Sequence, residues 1–368
     1  MSTVHPARSE GSAAPGPGEP GQTSGPGEGD GPPLGGVVPP SRRPPASTRH
    51  RPAAAPLPRR VRLARHFRRD WPLIAMTLPA VAFLAVFHYL PTLGNIIAFQ
   101  DYNPFLGDNP LQAFIYSDWI GFGNFAVLFG DYLFWRALFN TLRFSFAQLI
   151  LFFPLPIALA ILLHSILHEK IKVFIQSVVY LPYFFSWVIV VTFFQQMFGG
   201  AGLLAQHMRS AGLEPPTIMT NPDTFIFLVT SQIVWKDVGW GTIIFLAALS
   251  AVNPNLYEAA AADGAGRWRR LWHITLPGIR PVIVLLLILR LGDSLTVGFE
   301  QFILQRSAVG PAAAEVLDTY IYYHGLLTQQ FGVGAAAGLF KGAVGLTLVL
   351  IANKVAHRLG EQGIYKKT

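Results

Sequence analysis

No cysteine occurs among the 368 residues, which removes disulfide frameworks, thiolate nucleophiles and cysteine-based zinc sites. Charge is scarce as well. Asp, Glu, Lys and Arg make up only 13% of the chain, about half the share of an average globular protein, so much of the surface faces something other than water. Signatures of catalysis are missing too. There is no G-x-x-x-x-G-K-[ST] phosphate loop and no G-x-S-x-G nucleophile elbow, and Lys172 stands where the second histidine of a zinc-protease helix would follow His168-Glu169. No metal, cofactor or enzymatic activity is therefore expected, and ATP hydrolysis is left to another chain.

What is present is apolar: 51% of residues are hydrophobic and the mean hydropathy is +0.39. The distribution is uneven. Positions 1–50 hold 10 Gly and 11 Pro without an aliphatic pattern or the layout of a signal peptide, so residues 1–58 read as a disordered tail. Residues 59–70 form a basic juxtamembrane segment with Arg59, Arg60, Arg62, Arg65, Arg68 and Arg69, and 71–368 a transmembrane domain. A bilayer crossing takes roughly 20 apolar residues. Six stretches qualify, at about 73–99, 138–163, 173–198, 224–250, 281–304 and 334–356. The fold class is an all-α integral membrane bundle.

Between these spans, Lys and Arg fall 16 on one side against 3 on the other. The positive-inside rule then puts both termini in the cytoplasm and explains the formal charge of +8 without nucleic acid. On the same side lies a long connection, 251–280. Asn253-Pro254 opens a helix there, Glu258 to Ala262 sustain it, and Gly264 and Gly266 allow a sharp turn. A second short helix carries Trp268, Leu271, Trp272 and Thr275, which Pro277 and Pro281 are expected to end before the fifth span. On periodicity alone, an amphipathic hairpin lying in the headgroups fits as well as a docking element.

Three blocks in this loop, Glu258-Ala259-Ala260, Asp263-Gly264-Ala265 and Ile274-x-Leu276-Pro277, resemble the EAA loop of binding-protein-dependent ABC importer permeases. The likeness extends from about Trp71 to the C-terminus. Leu181-Pro182-Tyr183-Phe184, Gly239-Trp240-Gly241-Thr242 and Gly298-Phe299-Glu300-Gln301 are similar to the carbohydrate branch that imports polysaccharide fragments and oligosaccharides. The resemblance implies a MetI-like bundle of six transmembrane helices in the bacterial cell membrane, with a cytoplasmic EAA coupling helix. It implies that the nine residues of those blocks contact an ATPase. It also implies partners: a second permease subunit in a heterodimer, two ATP-binding subunits, an extracytoplasmic solute-binding protein and a carbohydrate.

Polar groups inside spans cost about 2.5–3.5 kcal/mol per charge near mid-membrane and are expected to face the interior. Arg290, Asp293, Ser294, Val297, Glu300 and Gln301 form one stripe at helical spacing, and Gln232, Trp235, Lys236 and Gly239 another, so Lys236 and Asp293 are expected to meet. A structural ion pair competes there with hydroxyl-binding groups lining a sugar path. Gln195, Gln196, Gln232, Trp235, Lys236, Trp240, Asp293, Glu300 and Gln301 are the path candidates, supplying hydrogen-bond partners and rings that stack on pyranose faces. Gly334, Gly338 and Gly342 recur every four residues, a small-residue face for close helix packing. The alternative function is a proton-coupled secondary sugar carrier, which would use buried carboxylates.

Overall fold

The computed structural model describes residues 59–361 and Gly363, with side chains from Asp70 onward. The expected disordered tail, and the side chains of the basic segment through Arg69, lie outside what is described. Helix α1 (Arg59–Leu84) runs on through a π-helical turn, the short α2 (Leu90–Leu93) and a 3-10 turn at Gly94–Phe99. A small cap follows. The paired strands β1 (Gln100–Asp101) and β2 (Asp118–Trp119) enclose α3 (Pro110–Tyr116), and α4 (Gly123–Gly130) closes the cap. The side-chain amide of Asn124 donates to the carbonyls of Ala98 and Gln100, which the short strands leave open.

The next crossing consists of α5 (Tyr132–Ala147), a π-helical turn at Gln148–Phe152 and α6 (Pro154–His164). The wide turn ahead of Pro154 lets the helix continue past a residue that offers no amide hydrogen. Then come α7 (Glu169–Tyr180), a 3-10 turn at Leu181–Phe184, α8 (Trp187–Phe198) and α9 (Leu203–Ser210). The longest interior helix is α10 (Phe225–Ser250). The loop helices α11 (Pro254–Ala262) and α12 (Arg267–Arg270) lead through a π-helical turn into α13 (Leu276–Gly292). After α14 (Phe299–Val309), α15 (Pro311–Ala314) and α16 (Leu317–Tyr320), a π-helical turn precedes α17 (Phe331–Arg358).

Among the described residues, six stretches are long and apolar enough to cross a membrane: Asp70–Phe99, Tyr132–His164, Trp187–Ser210, Phe225–Ser250, Arg267–Gly292 and Phe331–Arg358. The count matches the sequence reading, and two positions do not. The expected third span, 173–198, is divided. The chain keeps helical dihedrals at Leu181, tightens into a 3-10 turn through Pro182 and becomes extended at Phe185, and Ser186 then starts a new helix by accepting from the amide of Ile189 at 3.4 Å. The expected fifth span, 281–304, is displaced toward the N-terminus. Pro277 and Pro281 do not end the preceding helix, because the π-helical turn at Leu271–Thr275 widens the backbone just ahead of them. The helix stops instead at Asp293, and Gly298, at φ +109°, holds a left-handed turn that starts α14.

Three buried clusters hold the bundle. One joins α8, α10 and α14 through Val190, Phe194, Phe225 and Phe302. A second joins α4, α5 and α17 through Leu128, Phe134, Val333 and Ala336. The third, Ala160, Phe245, Leu249 and Ile279, lies beside the loop helices. Of the expected glycine face on α17, Gly334 does pack closely: a methyl there would fall 2.7 Å from the Cα of Gly325. Gly338 and Gly342 have open space around them, and a close approach occurs at Gly345, where a methyl would meet the carbonyl oxygen of Gly292 at 2.8 Å.

Candidate functional site

The hairpin between α10 and α13 is built from local rules. The side chain of Asn253 accepts from the amide of Asn255 at 3.0 Å, and Pro254 occupies the first helical turn. At the other end of α11, Ala265 N–H donates to Ala260 C=O at 2.8 Å and Gly264 N–H to Ala261 C=O at 3.1 Å. These are the two bonds of a Schellman motif, which requires a left-handed residue at its centre. Gly264 supplies it with φ +74° and no atom within 4 Å of where a Cβ would sit. The glycine is therefore needed for backbone conformation, while the space around it stays free.

A side-chain bond fixes the return. Tyr257 Oη donates to Thr275 Oγ1 at 3.1 Å, tying α11 to the π-helical turn before Pro277. Ala260, Asp263, Ala265 and Ile274 line one hollow of about 370 Å³ together with Arg269, Arg270 and His273. Glu258, Ala259 and Gly264 are exposed beside it. Leu276 turns into the buried cluster with Leu249 and Ile279, and Pro277 stays exposed. The sequence blocks thus divide into an outward face with a basic-edged hollow and a foot buried in the bundle.

The path candidates do not form one stripe. Arg290 is on α13, Glu300 and Gln301 are on α14, and the non-helical segment between them removes the assumed common face. Gln232 and Gln301 are fully buried in an amide cluster with Gln305. Gln232 Oε1 accepts from Gln301 Nε2 at 2.7 Å and from Gln305 Nε2 at 3.0 Å, while Gln232 Nε2 donates to Gln305 Oε1 at 3.0 Å. The i,i+4 spacing of Gln301 and Gln305 was the signal that Gln305 belonged with them.

Nor do Lys236 and Asp293 pair. Lys236 is buried, its ammonium donating to the carbonyl of Tyr183 at 2.7 Å and lying 5.2 Å from the centre of that ring and 5.7 Å from that of Trp187. Its carboxylate neighbour is Asp237, at 4.0 Å. The 3-10 turn at Leu181–Phe184 exposes the carbonyl that attracts the lysine away from α13. Asp293 is exposed and lines a hollow with Lys341, Gly342 and Gly345. Arg290 bonds instead to Gln148, a residue the sequence reading did not single out, and has Asp237 and Asp293 as charged neighbours.

Aromatic rings dominate the remaining candidates. Trp240 stacks on Tyr183 at 4.4 Å and Trp235 on Phe193 at 5.2 Å. Trp235 lies at the junction of two apolar hollows of about 660 and 610 Å³. Gln195, Gln196 and Glu300 are exposed. Among the described residues no group of three or more His, Cys, Asp or Glu could hold a metal ion.

The family described as "Binding-protein-dependent transport system inner membrane component" matches residues 152–360. The chain is 45% identical to the polygalacturonan/rhamnogalacturonan transport system permease protein YteP of Bacillus subtilis, over 80% of this chain and 90% of that one. It is 40% identical to protein LplB of the same organism, over 81% and 92%. A crystal structure of a bacterial ABC transporter that imports the acidic polysaccharide alginate contains a chain with a TM-score of 0.74 and 36% identity, covering 82% of this chain and 100% of its own. The proton-coupled carrier has no counterpart among these relatives. With its six apolar helices, the chain is a multi-pass membrane protein and a transporter subunit, not an enzyme, and it belongs to the family of inner membrane components of binding-protein-dependent transport systems, the ABC importer permeases.

Proposed function

We propose that this chain forms half of the translocation path of an ATP-driven importer for oligosaccharides or polysaccharide fragments. A second permease subunit completes the path, two ATP-binding subunits drive it, and an extracytoplasmic solute-binding protein delivers the cargo. Both termini lie in the cytoplasm. The carbohydrate class draws support from the names of the relatives, one a polygalacturonan/rhamnogalacturonan permease and one from a transporter of the acidic polysaccharide alginate. Delivery by a separate protein is supported by a second alginate transporter structure, solved with a pentasaccharide-bound periplasmic protein.

The observation that carries the coupling role is the α11 hairpin. It is closed by a Schellman motif, pinned by the Tyr257–Thr275 bond and rooted through Leu276 in the bundle, so a push on its outer face reaches α10 and α13 with little internal give. Glu258 and Asp263 supply acidic groups on that face, and Arg269 and Arg270 basic ones. The test is Gly264→Asp in the assembled importer. The substitution places a side chain on the outer face at φ +74°, and we expect normal membrane levels of all subunits with sugar uptake reduced more than tenfold. Wild-type uptake at normal subunit levels overturns the assignment.

A further inference from the structure

A further hollow, of about 350 Å³, lies at the end of the bundle that carries the coupling hairpin, where the end of α6, one face of α7 and the last turns of α10 meet. Lys172, Gln176 and Tyr180 recur at i, i+4 and i+8 along α7 and line it with His164 and Ser250. Leu246 contributes to an aliphatic wall opposite. The Lys172 side chain is only 25% exposed, yet the acid within 4 Å of it is Glu169, 3.8 Å away and 75% exposed. That distance is too long for a hydrogen bond, and so exposed a carboxylate attracts weakly. The half-buried ammonium therefore keeps its donors for another anion. Ser250, also in the lining, already donates to Leu246 C=O, so its hydroxyl oxygen is left as an acceptor.

The neighbouring face of α7 is apolar and open: Ile171, Phe174 and Val178 are 50%, 69% and 55% exposed. Such a stripe is costly in water, so the hollow borders the hydrocarbon layer. Its ligand then needs a phosphate-like anion, hydroxyls for the amide and phenol, and an apolar anchor beside them. We propose that this hollow binds the headgroup of an anionic glycerophospholipid from the leaflet next to the coupling hairpin, with Lys172 holding the phosphate. The name of that leaflet rests on the coupling reading; binding itself does not depend on cargo or transport.

The test uses the full-length purified chain in mild detergent, titrated with phosphatidylglycerol and followed by native mass spectrometry and thermal unfolding. One tightly bound phosphatidylglycerol and a raised unfolding midpoint are expected, with phosphatidylcholine or inorganic phosphate giving neither. Lys172→Ala is expected to weaken that binding about tenfold, the loss of a charge-assisted hydrogen bond. Lys172→Arg restores it, and Lys170→Ala, outside the hollow, leaves it unchanged. Gln176→Glu sets a negative charge in the hollow and gives a second route to the same loss should Lys172→Ala not fold. Wild-type affinity in both Lys172→Ala and Gln176→Glu overturns the proposal. So does equal binding of phosphatidylcholine, or inorganic phosphate alone reproducing the effect.

Discussion

Gln232 uses its carbonyl twice and its amide once within a buried cluster of three glutamines, so its replacement strands partners. Gln301 Nε2 keeps Val229 C=O and Gln305 Nε2 keeps Gln301 C=O as acceptors, so each amide loses one of two bonds. Gln305 Oε1 loses its donor, and a buried polar group left unpaired costs about 1–3 kcal/mol. Gln232→Leu removes the acceptor shared by Gln301 and Gln305, and a lower unfolding midpoint of the purified chain is expected. Glu300, one residue from Gln301, is exposed and has no such structural duty. Glu300→Ala is therefore expected to leave the unfolding midpoint unchanged while altering uptake kinetics, measured as rate against sugar concentration. Unaltered kinetics would place Glu300 outside the path. The pair separates residues that assemble the helices from residues that meet cargo.

On the scale of one element, the conformation of the α11 turn makes a graded prediction. Position 264 needs a left-handed backbone, which Asn tolerates and β-branched residues do not. Gly264→Asn is expected to retain more uptake than Gly264→Val, although Val adds no polar group. The reverse order would mean that side-chain chemistry, not backbone geometry, limits this position. The π-helical turns at Gln148–Phe152 and Leu271–Thr275 follow a related logic. Each precedes a proline that a regular helix would not accommodate, and each allows a crossing to begin earlier or run longer than the proline pattern suggests.

For the whole molecule, the absence of cysteine makes topology directly measurable. Glu258 on α11 and Ala312 on α15 are both exposed and lie on opposite sides in the proposed orientation. A membrane-impermeant maleimide added to cells with a permeabilised outer envelope is expected to label Ala312→Cys and to reach Glu258→Cys only after the inner membrane is opened. Labelling in the opposite order would invert the arrangement. The region around Ala312 is well anchored for this purpose. Asn140 donates to the carbonyls of Ala312 and Glu315, Arg306 pairs with Glu315 at 2.6 Å, and Tyr320 donates to Asp131 at 2.6 Å.

The number of crossings and the two caps of the coupling helix were legible in the sequence, because hydropathy, an Asn-Pro entry and a Gly exit act over one or two turns of chain. The residues proposed for coupling stand out as a motif for the same reason. Which polar groups meet was not. Lys236 is drawn to a carbonyl freed by a turn 53 positions earlier, Arg290 to Gln148 and Gln232 to Gln305, and helical spacing carries no information across such separations. The extent of the fifth crossing also escaped, since a π-helical turn neutralises two prolines that read as stops. Local backbone preference and hydrophobicity are properties of short segments; partner choice among buried polar groups depends on which helices are neighbours, and that is decided only when the bundle is packed.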